Sequence, residues 1–367
     1  MNNQTHPTVN LNPPASASAS AHPLVARLAG ISASFARLGP RHRALIVLLV
    51  LLLLSIIVVR QLFPSRVTAA GAPADQFSAE RALTHLPIIA KEPRPQGSPA
   101  LAAVRDYLVQ ELSASGLEVE VQRVNSLENV VARLHGTDSS GAIVILAHYD
   151  TVINSPGAGD NGSTVAALLE IMRILAAGPA PRNDIIALFD DGEEYSTSFA
   201  GTRAFIRKHP WMSDVRLAIS IDSAIGSFIS MNEVGPQNNG WLVQVLAQAY
   251  TGGAWMSFSG GGVYNSTPFR EAGIPVLSLE DNFPSWQRHT QYDLPEIIRP
   301  GTVQQMGEQV VSIARMLGGL DLGDPWGEQE TFFSLPVLGF IHYPQAWALP
   351  LALVAAVLLA LALGLSL

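Results

Sequence analysis

Three short stretches constrain the fold of this chain more than any others: AIVILA (Ala142–Ala147), DIIALF (Asp184–Phe189) and RLAISI (Arg216–Ile221). A strand with one face in water alternates apolar and polar residues. A strand apolar at consecutive positions must be covered on both faces. Such strands need a layer of helices on each side, and the chain supplies them. Pro99–Ser115 places Leu101, Val104, Leu108 and Leu112 on one helical face and stops at Gly116. Ser163–Leu175, Phe199–Lys208, Trp241–Tyr250 and Val303–Leu317 also read as helices. Val119–Val124 and Asn129–Leu134 alternate as half-buried strands do, and Pro275–Leu279 reads as one more strand. Strands alternating with helices predict an α/β fold: a mixed, mainly parallel sheet with helices on both faces.

Hydrophobic residues make up 48% of the 367 and charged residues only 14%, and the apolar excess is concentrated at two places. Ala44–Val59 is an uncharged run, apolar but for Ser55, between Arg43 and Arg60. With Leu62 and Phe63 it approaches the ~20 residues that cross a bilayer, and Arg60 can snorkel. Residues 44–63 are therefore expected to span a membrane as an uncleaved anchor, since the run is long for a signal peptide and lies far from the N-terminus. Residues 346–367 form a second such segment, with Tyr343 and Trp347 where an interfacial belt would lie. That second span reads either as a tail anchor or as part of a longer polytopic chain. The lipid bilayer is thus an expected partner.

Residues 1–43, rich in Pro, Ala and Ser, cannot bury enough apolar surface to order themselves. They carry Arg27, Arg37, Arg41 and Arg43 and no acid, so this tail is +4 while the whole chain is −8. Beside an apolar run, this charge sets membrane orientation rather than binding nucleic acid. It predicts a cytosolic tail and residues 66–330 on the extracytoplasmic side, in periplasm, exterior or organelle lumen. The chain has no cysteine, so disulfides are excluded and any metal must be held by His, Asp and Glu.

Ligands of open α/β sheets bind beyond the carboxyl ends of the strands. His148 follows AIVILA directly, Glu193 and Glu194 follow DIIALF closely, and Asp222 ends RLAISI. Asp160 and His289 sit in polar loops. Singly, each has an ordinary structural reading. Asp160-Asn161-Gly162 suits a turn capping a helix. Glu193-Glu194 suits a solvated acidic pair. Together they are two imidazoles and four carboxylates, a set that can hold two zinc ions and leave one carboxylate free to move a proton. Asp150, two residues after His148, can accept the second ring N–H and fix its tautomer.

AHYDTV (Ala147–Val152), SPGAGDNGST (Ser155–Thr164), DGEE (Asp191–Glu194), the segment around Asp222 and RHTQYD (Arg288–Asp293) resemble the M28 family of zinc metallopeptidases, as does RPQGSP (Arg94–Pro99). The resemblance covers about 80–318. With the flanking spans and VLGFIHYP (Val337–Pro344), it extends to the endoplasmic-reticulum and vacuolar membrane branch or its bacterial relatives. It implies a zinc aminopeptidase-like fold, two Zn²⁺ ions and a peptide substrate. It also implies that Asp160 bridges the ions, with His148 and Asp222 on one and Glu194 and His289 on the other. Glu193 would be the general base, and the Asp160–Asn161 peptide would be cis. The chain departs from the family at Tyr264-Asn265-Ser266, where many members read Ser-Asp-His before an aromatic. Tyr264 there is either an oxyanion donor or a wall residue. Two other readings remain: a zinc amide hydrolase or glutaminyl cyclase-like transferase with a single zinc, and a non-catalytic receptor or scaffold on the same fold.

Overall fold

A computed structural model of the chain describes residues 37–62, 66–194, 199–225, 229–235, 240–251, 265–281, 285–323, 327–335 and 338–366. Two units separate by packing. The first, residues 1–56, is described from Arg37 onward and is there chiefly helix, the beginning of α1 (Pro40–Leu62). Its window Pro40–Arg60 is long and apolar enough to cross a membrane, and none of that window is buried.

The second unit is built on a seven-stranded sheet. Its strands in chain order are β1 (Glu118–Val124), β2 (Leu127–Leu134), β3 (Ala142–His148), β4 (Asp184–Asp190), β5 (Val215–Asp222), β6 (Ile229–Gly235) and β7 (Val276–Asp281). In space they run β1-β2-β4-β3-β5-β7-β6. The central four, β4, β3, β5 and β7, are parallel, while β1, β2 and β6 are antiparallel additions at the two edges. Every residue of β3 and β4 is buried, as their unbroken apolar runs required. The chain leaves β3 for β4 on one side and later fills β5 on the other. The carboxyl end of β3 is therefore a topological switch point, where open α/β sheets form their ligand crevice.

The longer helices packed on the sheet are α2 (Pro99–Ala114), α3 (Ser163–Ala177), α4 (Ala200–Lys208), α5 (Gly240–Ala249) and α6 (Pro300–Gly319). Helix α2 starts at the Ser98 cap, whose hydroxyl accepts the Leu101 N–H, and buries Leu101, Val104, Leu108 and Leu112, the face expected from the sequence. One large apolar cluster joins α2, α3, α5 and α6 to one side of the sheet. A smaller one around Val144, Leu146, Phe205 and Phe269 covers the other. The segment entering the domain is fixed at once. Gln304 of α6 is buried, accepts the N–H groups of Thr68 and Ala79 through Oε1, and donates from Nε2 to Phe77 O.

Two features had no signal in the sequence reading. Edge strand β6 reads ISMNEVG, without an apolar run. The other is a separate two-stranded sheet, β8 (Glu330–Leu335) with β9 (Gly339–Pro344), which leads directly into α7 (Ala348–Ser366). The window Gln345–Gly364 is the second stretch long and apolar enough to cross a membrane.

Candidate metal centre

His148 is the last residue of β3 and fully buried. The chain leaves the sheet there because the Tyr149 N–H still donates to Asp190 O while the next residues turn away. Asp150, also fully buried, then faces two ways. Its Oδ1 lies 3.5 Å from His148 Nδ1. Its two oxygens accept the backbone N–H groups of Glu193 (3.3 Å) and Glu194 (3.0 Å). One carboxylate thus stands beside the imidazole and pins the acidic turn after β4 against the end of β3.

Asp160 lies in an irregular turn, Ala158–Gly162, just before α3, and its peptide bond to Asn161 is cis. The Asn161 side chain ties this turn to the end of β5: Oδ1 accepts the Ser223 N–H and Nδ2 donates to Ile221 O. Asp222, between those two residues, is thereby brought beside Asp160. The Asp160 carboxylate meets both imidazoles, with Oδ1 3.1 Å from His148 Nε2 and Oδ2 2.9 Å from His289 Nε2. His289 Nε2 is also 3.0 Å from Glu194 Oε1. His289 takes a left-handed backbone, φ 61, which a non-glycine residue holds only when its surroundings enforce it.

All the expected residues therefore converge. Two trios have ligand atoms within 4.8 Å of one another: His148, Asp160 and Asp222, and Asp160, Glu194 and His289. Asp160 is common to both. Glu193 Oε2 stands 3.7 Å from His148 Nε2, beside the first trio. Tyr264 lies outside the described residues.

Imidazoles and carboxylates without a thiol are a zinc donor set, and the buried atoms fit such a guest. Asp222 Oδ1 and Glu193 Oε2 are buried with no hydrogen-bond partner, which is costly unless something else meets them. The titration behaviour agrees. Burial alone would lower the His148 pKa, but Glu193, Asp150, Asp160 and Asp222 raise it well above 6.5. Hydrogen bonds to Asp160 and Glu194 push His289 up to about 10. Burial disfavours the Asp160 carboxylate, but hydrogen bonds from His148 and His289 outweigh it and hold it well below the usual range. Burial, opposed by His148 and reinforced by Asp222, Asp190 and Asp150, pushes Glu193 well above its own. The pocket holds more carboxylates than cations, so it favours any positive charge placed in it.

Several supporting residues lie in motifs the sequence reading quoted without giving them a role. Asp293, fully buried, accepts Gly159 N–H at 2.6 Å and Asp160 N–H at 3.0 Å, latching the His289 loop to the Asp160 turn. Gly159 must be glycine, because a Cβ there would collide with Ile225. Arg94, fully buried, donates to the carbonyls of Tyr149, Pro156 and Gly157 and braces the loop between His148 and Asp160. Burial pushes Arg94 down to about 10, opposed by Asp150, Asp293 and Asp160. Arg288 Nε lies 3.4 Å from Asp160 Oδ2. The signal for these residues was polarity inside a motif. Asp293 and Arg94 meet backbone groups over fifty residues away, and Arg288 a distant carboxylate, which no spacing rule reveals.

Comparison with known proteins agrees with this geometry. Residues 129–314 match Peptidase family M28. Endoplasmic reticulum metallopeptidase 1 of Rattus norvegicus is 30% identical over 237 residues, covering 60% of this chain and 26% of that protein. The vacuolar membrane protease of Candida dubliniensis is 25% identical over 276 residues, covering 69% and 29%. The chain thus spans little more than a quarter of the length of these relatives. Among solved structures, the aminopeptidase from Aneurinibacillus sp. strain AM-1 superposes with a TM-score of 0.59 at 14% identity, over 74% of this chain and 98% of that one, a likeness of fold. The match spans just over half the chain and includes every residue of both metal-ligand trios, and on that ground the chain belongs to Peptidase family M28.

Proposed function

We propose that the chain is a membrane-anchored, two-zinc metallopeptidase that removes residues from the amino ends of peptides. The observation carrying this reading is that the two ligand trios share Asp160 and no other residue. Asp160 would bridge the ions, with His148 and Asp222 completing one site and Glu194 and His289 the other. Lewis acidity toward a carbonyl and a more acidic water are what zinc supplies when bound there.

The remaining work falls to the protein's own side chains. Glu193 is half-buried beside the first trio, with Oε2 3.7 Å from His148 Nε2, a position that suits it to take a proton from water and return it to the leaving amine. Asp150 would hold His148 in one tautomer while fixing the backbone of Glu193. The metallopeptidase and aminopeptidase names of the matched proteins support the same class.

Zinc content and product analysis on the purified full chain in detergent test this. Two zincs per chain and release of the first residue from unblocked, but not acetylated, peptides are expected. One zinc with cyclisation of amino-terminal glutamine would mark a transferase instead. Intact zinc with neither reaction would mark a scaffold. The four arginines of residues 1–43 support an extracytoplasmic catalytic domain. In sealed vesicles, added protease should spare that domain from the cytosolic face.

A further inference from the structure

The β8–β9 hairpin has the wrong face for a surface element in water. Directly opposed residues of an antiparallel pair share a face. The register pairs Phe332 with His342 and Ser334 with Phe340 on one face, and Thr331 with Tyr343, Phe333 with Ile341 and Leu335 with Gly339 on the other. At Phe332 and Phe340 the first face looks inward, while His342 on it is exposed; the second face is half-buried at Phe333, Ile341 and Tyr343 and exposed at Leu335. Phe332 is 1% exposed, Phe340 stacks on it at 5.4 Å, and Phe340 lies 5.8 Å from Tyr250. The outward face should then be polar. It carries no charge: Thr331, Phe333, Leu335, Ile341 and Tyr343. None of the last four belongs to either apolar cluster of the domain or packs against it. The turn adds Leu338, 69% exposed.

The hairpin is also continuous with the second candidate span. Pro344 ends β9, Gln345–Trp347 makes one turn, and α7 begins at Ala348. The Gln345 N–H donates to Gln329 O, so backbone pairing runs to the foot of the helix and leaves no slack between them. Trp347, 61% exposed, stands at that foot, and Trp and Tyr are enriched where a span meets the headgroups.

We propose that the outward face of the β8–β9 hairpin lies on the bilayer interface, with Phe333, Ile341 and Leu338 among the lipid headgroups and upper acyl chains. It would hold the peptidase domain at a fixed height and tilt. This rests on the reading of α7 as a membrane span. Lipid is the occupant the features favour: the face is apolar but uncharged, it ends in a tyrosine and a tryptophan, and it runs without a linker into a segment that lipid would surround.

Because the native chain has no cysteine, single cysteines can report position directly. The full chain is reconstituted into phosphatidylcholine vesicles with an environment-sensitive fluorophore at Phe333→Cys, Ile341→Cys or Leu338→Cys. Val357→Cys within α7 and Asp138→Cys on the domain surface serve as references. Brominated phosphatidylcholine should quench the three hairpin labels at least twofold, Val357→Cys more strongly and Asp138→Cys hardly at all. Quenching at Val357→Cys with none at the hairpin would overturn the proposal and leave the span standing. A blue-shifted but unquenched hairpin label would mean that protein covers the face, which also overturns it. No quenching at Val357→Cys would remove both readings. Leu338, in the exposed turn, keeps the test valid if a strand variant folds poorly.

Discussion

Replacing Asp293 with asparagine tests whether the two halves of the metal centre are preassembled by the protein. Asp293 joins them through two charge-assisted hydrogen bonds, to Gly159 N–H and Asp160 N–H, and is fully buried. Asparagine keeps the shape but presents one NH₂ where an oxygen stood. It can satisfy one of the two N–H groups, so one bond worth about 1.5–3 kcal/mol is lost. The other buried N–H then faces a donor, a further cost of about 1–3 kcal/mol. Together these give a loss of roughly 2.5–6 kcal/mol. The backbone bond from Ala158 N–H to Asp293 O survives the change, so the loop should loosen at Asp160 rather than detach. Denaturation of the full chain in detergent measures the total. Competition with a chelator measures the part borne by the site. At about 1.4 kcal/mol per tenfold, zinc affinity should fall at least tenfold, while the exposed control Asp138→Asn leaves it unchanged. Wild-type stability together with zinc affinity within threefold of wild type would refute the latch.

Glu193→Gln should keep its zinc, since Glu193 belongs to neither trio, yet lose about 10²–10⁴-fold in turnover; metal analysis and rate on the same sample decide it. Asp160→Ala removes the carboxylate common to both trios, so zinc per chain should drop towards zero rather than to one. Two zincs retained by that variant would disprove the bridge. Burial, aided by Arg133, lowers the His209 pKa from 6.5 to about 4. The unfolded chain then binds the proton more readily, so His209 contributes fully above pH 6.5 and its contribution is lost as pH falls towards 4. With screening, the loss is on the order of 1–2 kcal/mol. The stability difference between wild type and His209→Phe should shrink over that interval, and a difference independent of pH would rule the assignment out.

The sequence by itself determined the layering. Strands such as AIVILA and DIIALF, apolar at consecutive positions, can be buried only between two helical layers, and β3 and β4 are fully buried. It also marked the chemistry. His148 and Asp222 end strands and Glu193-Glu194 follow one, because the carboxyl end of a buried strand is where the chain first reaches solvent and can hold a polar group. The two long apolar helices were legible for a similar reason: bilayer thickness sets the length to look for, and composition shows it. Strand order was not legible, because pairing is a property of partners and not of a segment. ISMNEVG becomes β6 only because β7 offers it an edge. The hairpin after residue 330 was missed because its outward face breaks the alternation by which a surface strand is recognised. The supporting shell was hidden most completely. Asp293 and Arg94 act on backbone groups far away in sequence. Only the folded chain, which brings the ends of β3, β4 and β5 together, decides which N–H or carbonyl a buried charge will meet.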